Sequence, residues 1–546
     1  MTRSKEKKVP EFINQNLKTM KLFNNQKIKA LGLLLFLISC TSSQKEKKSE
    51  LNALPEKPNI LFILVDDMGW SDIGCYGSEI NTPNIDLLAK NGIRYRQYYN
   101  TAKCNTTRAS ILTGLYHQQV GMTRPDTIKN AVTLGEVLRP AGYRTLASGK
   151  HHGKENLKDR GFDHYYGLRD GCSNFWNPGK KREGEPAPAR KTYRYWVDED
   201  TTYHPFTPPD KDFYTTDAFT DRALSWLDEP ELEEQPFFLY LAYTAPHFPL
   251  QAWPEDIAKY EGVYDKGYEE IRRGRYERMV KMGVIDKDKN PIPLWKGDDW
   301  DTLDDLERRK EIRRMEIYAA MIDRLDQNVG KVLQKLEDQG KLENTLVMFA
   351  SDNGACPDGS INAKDKSTQL EDFGTVSSYL TPGPEWATVQ NTPLRKWKAF
   401  SHEGGVRTPF IVSWPAAIKK GGGFYNYPGH VIDIMPTLVE LTGATYPTTF
   451  DGEAIPPMQG ISLVPTFKKE PLERPNPLYW EYSEGFAIRE GDLKAVRLRR
   501  APEKEWELYD LSKDGNESND LAKEMPEKLE YLKSKWKKWN NSIYPD

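Results

Sequence analysis

The sequence predicts an α/β fold: a large, mostly parallel central sheet flanked by helices, with a small C-terminal antiparallel sheet and one helix. Two apolar runs, at residues 58–65 and 346–350, contain β-branched residues and are typical of strands buried on both faces of a parallel sheet. Long helical patterns lie between them, at 268–282 and 303–326. After about Gln459, short strand-like runs precede a last helix.

The composition excludes some functional classes. The chain has 546 residues, with 77 Lys and Arg against 80 Asp and Glu and a formal net charge of −3. This length suits a large domain followed by a smaller one, which we place at 57–459 and 460–546. The near balance of charge lacks the basic excess of nucleic-acid-binding proteins, so we expect no nucleic-acid partner. The aromatic fraction of 11% suits a sugar-binding surface as well as a packed core.

The N-terminus has the order of a secretory signal. Lysines precede an apolar run at 30–38, which is shorter than the roughly 20 residues needed to cross a bilayer. The run leads into Leu-Ile-Ser-Cys40, which resembles a bacterial lipoprotein box with Cys40 as the lipidated residue. We expect a signal peptide at 1–39, with Met20 as an alternative start, and a flexible tether at 40–56. The protein is then an exported lipoprotein of a Gram-negative bacterium, anchored to the outer membrane in the periplasm through its lipid only. An ordinary signal peptide with a chance cysteine is the alternative.

The other cysteines do not suggest a disulfide framework. Apart from Cys40 and Cys104, the chain contains Cys75, Cys172 and Cys356. An odd number is not typical of paired cysteines. One pair among the three stays open, and the spacing does not choose it.

Oxygen-bearing side chains follow both predicted central strands. Asp66 and Asp67 come directly after the first, and Asp352 and Asn353 follow the second one residue later. Ligands of open α/β sheets bind beyond the carboxyl ends of the strands, and adjacent carboxylates repel unless a cation holds them. An all-oxygen set with an Asn carbonyl suits Ca²⁺, with Mg²⁺ less favoured. A solvated turn is the alternative.

A cysteine lies at the start of a predicted helix, in Cys104-Asn-Thr-Thr-Arg108. Asn and Thr start helices well, so backbone N–H groups near Cys104 favour an anion, and Arg108 adds a positive charge one turn on. The arrangement suits a sulfate or phosphate beside a nucleophile. Taken alone, it is more typical of a buried cysteine beside a surface arginine.

Further polar candidates follow two other predicted strands. Lys150 and His152 come after an apolar run at 146–149, and His247 comes after a run at 237–245, between two prolines. The chain has only 8 histidines. Each of these residues alone is more typical of a surface or core position, so they become candidates only together with the other motifs.

Taken together, the motifs resemble the type I, formylglycine-dependent sulfatases of the alkaline phosphatase superfamily. The resemblance runs from about Pro58 to Asn540, in the family's order. The motifs are Val-Asp66-Asp67-Met-Gly, Cys104-x-x-x-Arg108 before Leu-Thr-Gly, Gly-Lys150-x-His152, Pro-His247-x-Pro, Ser-Asp352-Asn353-Gly, and Leu-Arg395-x-x-Lys398 ahead of Glu-Gly-Gly. One motif would be weak evidence, whereas six in order are specific. The resemblance implies an alkaline phosphatase-like fold and a sulfuric ester hydrolase.

The resemblance also implies a role for each motif. A formylglycine-generating enzyme would oxidise Cys104 to formylglycine (3-oxoalanine), whose hydrate is the nucleophile. The Ca²⁺ ligands would be Asp66, Asp67, Asp352, Asn353 and the modified Cys104. The residues that stabilise developing charge would be Arg108, Lys150 and Lys398. His247 would protonate the leaving alcohol, and His152 would take the proton from the second hydrate oxygen, which expels sulfate.

The sequence departs from the family pattern beside the motifs. Thr106 and Thr107 stand where the family usually has Pro or Ala and then Ser, which bears on recognition by the maturation enzyme. His151 stands where the family commonly has Trp. We expect a sulfated polysaccharide or its oligosaccharides as substrate, with candidate contacts in loops near the motifs: His151, Asn174, Trp176, Arg395 and His402. For each of these, loop packing is the alternative.

Two other functions remain open. A phosphonate or phosphodiester hydrolase could use the same fold, but most relatives with that chemistry carry Ser or Thr as the nucleophile and ligands for a second metal. A catalytically silent, sulfated-glycan-binding lipoprotein would result if Cys104 were never oxidised. The presence of Lys150, His152, His247 and Lys398 argues against the silent form, because a binding protein needs no acid.

Overall fold

The first predicted strand lies at the centre of a ten-stranded sheet. The computed structural model describes residues 54–544 except 56, 191, 358–368 and 501–504. The expected signal peptide, the lipidation site Cys40 and nearly all of the tether lie outside the described residues. The strands before the C-terminal sheet are β1 Asn59–Val65, β2 Ile93–Tyr95, β3 Tyr98–Tyr99, β4 Arg144–Gly149, β5 His164–Leu168, β6 Trp196–Asp198, β7 Thr201–Tyr203, β8 Phe237–Ala242, β9 Thr345–Ser351, β10 Phe410–Ser413, β11 Gly423–Tyr425, β12 Gly429–His430, β13 Thr449–Phe450 and β14 Glu453–Ala454.

The large sheet is mixed, with a parallel centre. Its strand order is β11-β2-β10-β9-β1-β8-β4-β5-β6-β7. The five central strands, β9-β1-β8-β4-β5, are parallel, while β10 pairs antiparallel with both neighbours and β6 does the same. All residues of β8 and β9, and all but the first of β1, are buried, as expected for central parallel strands. The predicted α/β class is therefore confirmed, and the antiparallel pairs lie toward the two edges.

The register brings the carboxyl ends of the central strands to one edge. In β1, Leu64 pairs with Ala242 of β8 and with Ala350 of β9. Gly149, the last residue of β4, pairs with the same Ala242. Residues that follow these four strands consequently meet beyond a single edge of the sheet.

The described residues also form α-helices. They are α1 Pro83–Asn91, α2 Cys104–Thr113, α3 Leu134–Leu138, α4 Thr215–Leu227, α5 Pro254–Ala258, α6 Gly267–Lys281, α7 Asp305–Asp338, α8 Gly383–Gln390, α9 Glu403–Val406, α10 Ile434–Thr442 and α11 Pro526–Ile543. The longest, α7, contacts α1, α4 and α5, whereas α2, α3 and α10 contact one another. Asp304 caps α7 in a capping box with Glu307, which satisfies backbone N–H groups at its first turn.

Helix α7 is longer than the sequence pattern predicted. The prediction ended near residue 326, but α7 continues to Asp338 because apolar residues still face the core there: Val329, Val332, Leu333 and Leu336. Helix α6 matches the predicted 268–282 pattern within one residue at each end.

The C-terminal strand-like runs form a separate four-stranded antiparallel sheet, as predicted. Its strands are β15 Leu478–Tyr482, β16 Gly485–Glu490, β17 Leu493–Arg497 and β18 Trp506–Asp510, in sequential order. Helix α11 packs on this sheet through Leu532 and Trp536. The exact domain boundary at 459/460 stays a prediction.

The structure also bears on membrane-spanning helices and on disulfide bonds. Within the described residues, no helix is both long enough and apolar enough to span a bilayer. No disulfide joins the four described cysteines, Cys75, Cys104, Cys172 and Cys356.

Candidate active site

The carboxyl ends of β1 and β9 bring four oxygen-bearing side chains together. Because Val65 pairs with Ser351, the turns after the two strands lie side by side. The side chains in these turns are all buried: Asp66, Asp67, Asp352 and Asn353. The Asn353 amide donates to Asp67 Oδ1 at 2.7 Å, and Asp67 N donates to Asp352 Oδ1 at 3.3 Å. The predicted oxygen set therefore forms one cluster.

Three buried cations surround this cluster. Arg108 donates through Nε to Asp352 Oδ2 at 2.9 Å. Lys150 and Lys398 each pair through Nζ with one carboxylate of the turn after β1. None of the three cations is more than 3% exposed. Buried charges need partners, and here three cations face three carboxylates.

These charges shift the pKa values of the carboxyl groups. Burial and the Asp66 carboxylate raise the pKa of Asp352 to about 6, against the opposing effect of the facing guanidinium. Burial also acts to raise the pKa of Asp67, but His247 and Lys398 outweigh it and hold that pKa well below its usual range. At neutral pH the carboxyl groups of Asp67 and Asp352 are therefore ionised.

Three oxygens of the cluster have no hydrogen-bond partner among the described residues. They are Asp66 Oδ1, Asp67 Oδ2 and Asn353 Oδ1, and each is buried. Such an oxygen normally faces a cation or an ordered water. One carboxylate oxygen of Asp66 and one of Asp352 lie within 4.8 Å of each other and of the Cys104 sulfur. The donor set fits a hard divalent cation.

Helix α2 begins at Cys104, as the sequence predicted. Lys103 is extended, with φ −148° and ψ 145°, and its carbonyl accepts from Thr107 N at 2.9 Å. Thr106 Oγ1 accepts from the Thr101 hydroxyl at 2.8 Å, so the threonine that departs from the family pattern ties the helix start to the preceding loop. Cys104 and Thr106 are both buried. The thiol consequently sits at a helix N-terminus, where anions are favoured.

Two histidines border the cluster. His247 Nδ1 lies 2.6 Å from the Phe248 carbonyl, so it carries the proton of the neutral ring, and Nε2 lies 3.2 Å from Asp67 Oδ2. Burial, assisted by nearby Lys398, lowers the pKa of His247 to about 3 despite the Asp67 carboxylate. Burial and neighbouring cations hold the pKa of His152 well below its usual range. Both rings are therefore neutral at neutral pH without the charge of a substrate.

Non-glycine residues with positive φ flank the site. They are Asp67 (φ 65°), Ala102 (66°), His152 (67°) and Ala399 (71°). Each left-handed residue costs on the order of 1–2 kcal/mol, and such positions persist where surrounding contacts determine the backbone. The rest of the fold therefore holds the backbone beside four of the predicted site residues.

The predicted substrate contacts near β4 have their own partners in the protein. His151 is buried, and its Nε2 lies 3.5 Å from Glu155. Asn174 donates to the carbonyls of Ala189 and Val376 at 3.1 and 2.7 Å. Trp176 packs against other aromatic rings and donates to a backbone carbonyl. These contacts are loop packing, and a role in binding substrate stays a prediction.

The two candidates near Lys398 face the C-terminal sheet. Arg395 donates to the Tyr509 hydroxyl at 2.6 Å, and His402 Nε2 lies 2.8 Å from Glu507. His402 is fully buried. Both residues connect the loop that carries Lys398 to β18, and their role in binding substrate stays a prediction.

The sequence did not indicate a second set of charges behind this loop. Lys494 of β17 is fully buried and lies 2.8 Å from both Glu403 and Glu517. Glu403 N also donates to Glu517 Oε2 at 2.8 Å. The only available signal was the pair of glycines after Glu403, which marks a close backbone approach.

Comparisons with known proteins agree with this geometry. The family profile "Sulfatase" matches residues 58–444, and the profile "N-sulphoglucosamine sulphohydrolase, C-terminal" matches residues 396–541. An uncharacterized sulfatase of Schizosaccharomyces pombe is 34% identical over 523 residues, covering 88% of this chain and 93% of that protein. An arylsulfatase of Klebsiella aerogenes is 33% identical over 438 residues, covering 75% of this chain and 92% of that protein.

A solved structure extends the likeness to the fold. The crystal structure of Ps i-CgsB in complex with k-i-k-neocarrahexaose is 27% identical, with a TM-score of 0.62, and the match covers 89% of this chain and 93% of that one. The family profile and the relatives together cover the central sheet, the candidate site and the C-terminal sheet. The chain therefore belongs to the sulfatase family of the alkaline phosphatase superfamily and is a sulfatase enzyme.

Proposed function

We propose that this sulfatase removes sulfate from a sulfated carbohydrate, and from aryl sulfates, with a formylglycine made from Cys104 and a bound Ca²⁺. One observation carries the proposal: the Cys104 sulfur lies within 4.8 Å of oxygens of Asp66 and Asp352, in a cluster of carboxylates that three buried cations surround. A bare thiol gains nothing from this carboxylate cluster. The same carboxylates could hold a cation, and a nucleophile with a hydroxyl group could bind to that cation. Every charged group of the cluster would then have a role.

The chain's own residues would prepare the sulfate for attack. Asp66, Asp67, Asp352 and Asn353 would hold the cation. Bound Ca²⁺ would neutralise sulfate charge and lower the pKa of the attacking hydroxyl. Arg108, Lys150 and Lys398 would stabilise the negative charge that develops on the sulfuryl oxygens. These three side chains already have carboxylate or backbone partners, so little reorganisation is needed.

His247 would act as the general acid for the leaving alcohol. Its Nδ1 proton is held by the Phe248 carbonyl, so the donated proton must reside on Nε2. A sulfate anion beside Nε2 would raise the low pKa of His247, because an opposite charge favours the protonated ring. His152, which is neutral, would accept the proton that accompanies release of sulfate.

The similar proteins support the substrate class. One relative is named an arylsulfatase, and one similar structure holds k-i-k-neocarrahexaose. An oligosaccharide carrying a sulfate ester is therefore the substrate we propose. Because Cys104 and Thr106 are buried, the formylglycine-generating enzyme would act before the chain folds.

We also propose that the protein is exported and anchored through a lipid on Cys40. Its N-terminal sequence supports this, with an apolar run followed by Leu-Ile-Ser-Cys40. Radioactive palmitate labelling of the full chain in a Gram-negative host tests it: Cys40→Ser should abolish label and outer-membrane fractionation. Label that persists in C40S would contradict the anchor.

Mass spectrometry of the peptide that contains Cys104 tests the nucleophile. The protein is produced with a formylglycine-generating enzyme, and we expect a peptide lighter than the cysteine form that a hydrazide reagent traps. Hydrolysis of nitrocatechol sulfate and of a panel of sulfated oligosaccharides should then depend on this residue and disappear in Cys104→Ala. An unmodified thiol, or activity that survives in C104A, would contradict the proposal.

A further inference from the structure

A fully buried network lies behind the turn that carries the proposed metal ligands. Asp72 is 0% exposed and its carboxylate accepts three hydrogen bonds. Oδ2 accepts from Gly69 N at 2.8 Å and from the Tyr318 hydroxyl at 2.7 Å, and Oδ1 accepts from Arg275 Nη1 at 2.5 Å. None of these side chains is among the metal ligands or the catalytic residues proposed above.

The turn held by this network is tight and strained. Asp67, a proposed ligand, has a φ of 65°. A Cβ on Gly69 would lie 2.4 Å from the Gln390 carbonyl oxygen, so the backbone at Gly69 passes too close to the backbone at Gln390 for a side chain to fit. The Tyr318 hydroxyl lies 3.5 Å from the Asp67 carbonyl oxygen. A left-handed turn of this kind requires support from contacts outside itself.

That support comes from a part of the chain whose role the sequence did not indicate. Arg275 lies on α6, in the highly charged stretch between residues 253 and 314. Its Nε and Nη2 donate to Glu79 at 2.8 and 2.7 Å, while Nη1 reaches Asp72. The guanidinium is 0% exposed and bridges two carboxylates. Helix α6 thus contributes a fixed cation behind the metal-binding turn.

We propose that Asp72, Arg275 and Tyr318 are positioning residues that hold the turn at Asp66 and Asp67 in its metal-binding conformation and so set the affinity for the divalent cation. The inference rests on the proposed function, because it assigns a purpose to contacts behind the proposed ligands. Groups that orient metal ligands typically change metal affinity about 10–100-fold when removed. The physical cause is preorganisation of the turn. Without these contacts, part of the free energy of cation binding would be spent on holding the backbone in its strained conformation.

The chain offers a matched control on α7. Asp323 is also buried, and it accepts from Lys259 Nζ at 2.9 Å and from the Tyr260 hydroxyl at 3.0 Å. Asp323, like Asp72, therefore has one cationic partner and one tyrosine partner of its own. Only Asp72 bonds to the metal-binding turn.

Calcium titration of the metal-free enzyme, followed by thermal unfolding, tests the proposal. Asp72→Asn should raise the Kd for Ca²⁺ at least about tenfold, and kcat should approach the wild-type value at saturating Ca²⁺. Asp323→Asn should lower the unfolding temperature of the metal-free protein without changing the Kd. Because Arg275 keeps Glu79 as a partner, D72N retains a paired buried cation.

Tyr318→Phe provides a second measurement if D72N unfolds, since it removes one hydroxyl and keeps the ring. We expect a smaller rise in the Kd for Ca²⁺ in the same direction. A wild-type Kd in both Y318F and a folded D72N, or an equal rise in D323N, would overturn the proposal. If the wild-type protein itself gained no stability from Ca²⁺, the metal in the proposed function would fail, and this inference with it.

Discussion

Lys398 pairs with Asp67, and both side chains are buried. Burial acts to lower the pKa of Lys398, but the Asp67 carboxylate is the main opposing cause, and the pKa lies well above its usual range. The side chain is therefore a permanent cation at the point where the proposed reaction develops negative charge. Its neighbour Lys396 is half-buried and lies over the Phe400 ring, 5.4 Å from its centroid.

We predict that Lys398→Met lowers kcat for an aryl sulfate by about 10²–10³-fold, as loss of one preorganised charge-stabilising group typically does. The matched variant Lys396→Met removes a neighbouring positive charge that has no carboxylate partner in the site. Steady-state kinetics should show near wild-type kcat for K396M. Equal losses in the two variants would mean that Lys398 acts only through general electrostatics.

Gly354 follows Asn353 at the point where the chain meets the loop after Lys398. A Cβ on Gly354 would lie 1.8 Å from the Gly404 carbonyl oxygen. On α6, by contrast, a Cβ on Gly274 would meet only the end of the Arg278 side chain at 3.3 Å.

We therefore predict that Gly354→Ala lowers the free energy of unfolding by about 1–3 kcal/mol or more, the usual cost of overpacking a core. Gly274→Ala should be neutral or stabilising, because Ala favours a helix interior over Gly by about 1 kcal/mol. Chemical denaturation of both variants measures the difference. A stability loss in G354A no larger than in G274A would refute the close approach.

At the scale of elements, strand β18 contacts the loop that carries Lys398. Glu507 of β18 pairs with His402 and lies 3.6 Å from Arg395. Burial acts to raise the pKa of Glu507, but His402 and Arg395 outweigh burial and lower it to about 2. Because the unfolded carboxyl titrates near about 4.3, the ionised form stabilises the folded state above that pH. This stabilisation is lost as the pH falls from about 4.3 through about 2.

Glu507→Gln should therefore lower the unfolding temperature near neutral pH, and the difference from the wild type should shrink by about pH 3. The exposed Glu505→Gln is the control and should show no difference at either pH. Thermal melts across this range test the prediction. A difference that stays constant with pH would indicate lost packing instead of a lost ion pair.

Some strands and helices could be predicted from the pattern of apolar residues in the sequence, and others could not. Strands β1, β8 and β9 were predictable because continuous apolar runs define central strands locally. The short strands β2, β6 and β7 were not, because three-residue segments carry too little periodicity and their pairing partners are set by the fold. The end of α7 was missed because its last apolar positions are spaced among many charges.

At the scale of the whole molecule, the C-terminal sheet and helix α9 meet in buried charges. Lys494 lies 2.8 Å from both Glu403 and Glu517. Burial acts to raise the pKa of Glu403, but Lys494, with Arg407 and Arg489, outweighs it and lowers that pKa. Lys494 of the small sheet thus pairs with two buried carboxylates and helps to keep one of them, Glu403, charged behind the loop that carries Lys398.

Lys494→Met should cost about 3–5 kcal/mol of stability, because it leaves buried carboxylates without that partner. The exposed Lys537→Met on α11 should leave stability unchanged. Denaturant unfolding of the full chain compares them, and Glu517→Gln, which removes one of the two carboxylates, should restore part of the stability to K494M. No restoration in the double variant would contradict the charge argument.

The sequence by itself determined the α/β class, the central strands, the oxygen-bearing side chains at their ends and the cysteine at a helix start. Each of these depends on residues that are neighbours in the chain, where apolar periodicity and strand-end position are visible. Only the tertiary structure decided which distant charges meet. Arg275 reaches Asp72 across 203 residues, Lys494 reaches Glu403 across 91 residues, and Arg395 and His402 face β18. Such pairings depend on how the helices and the two sheets pack, and no local pattern in the sequence records that packing.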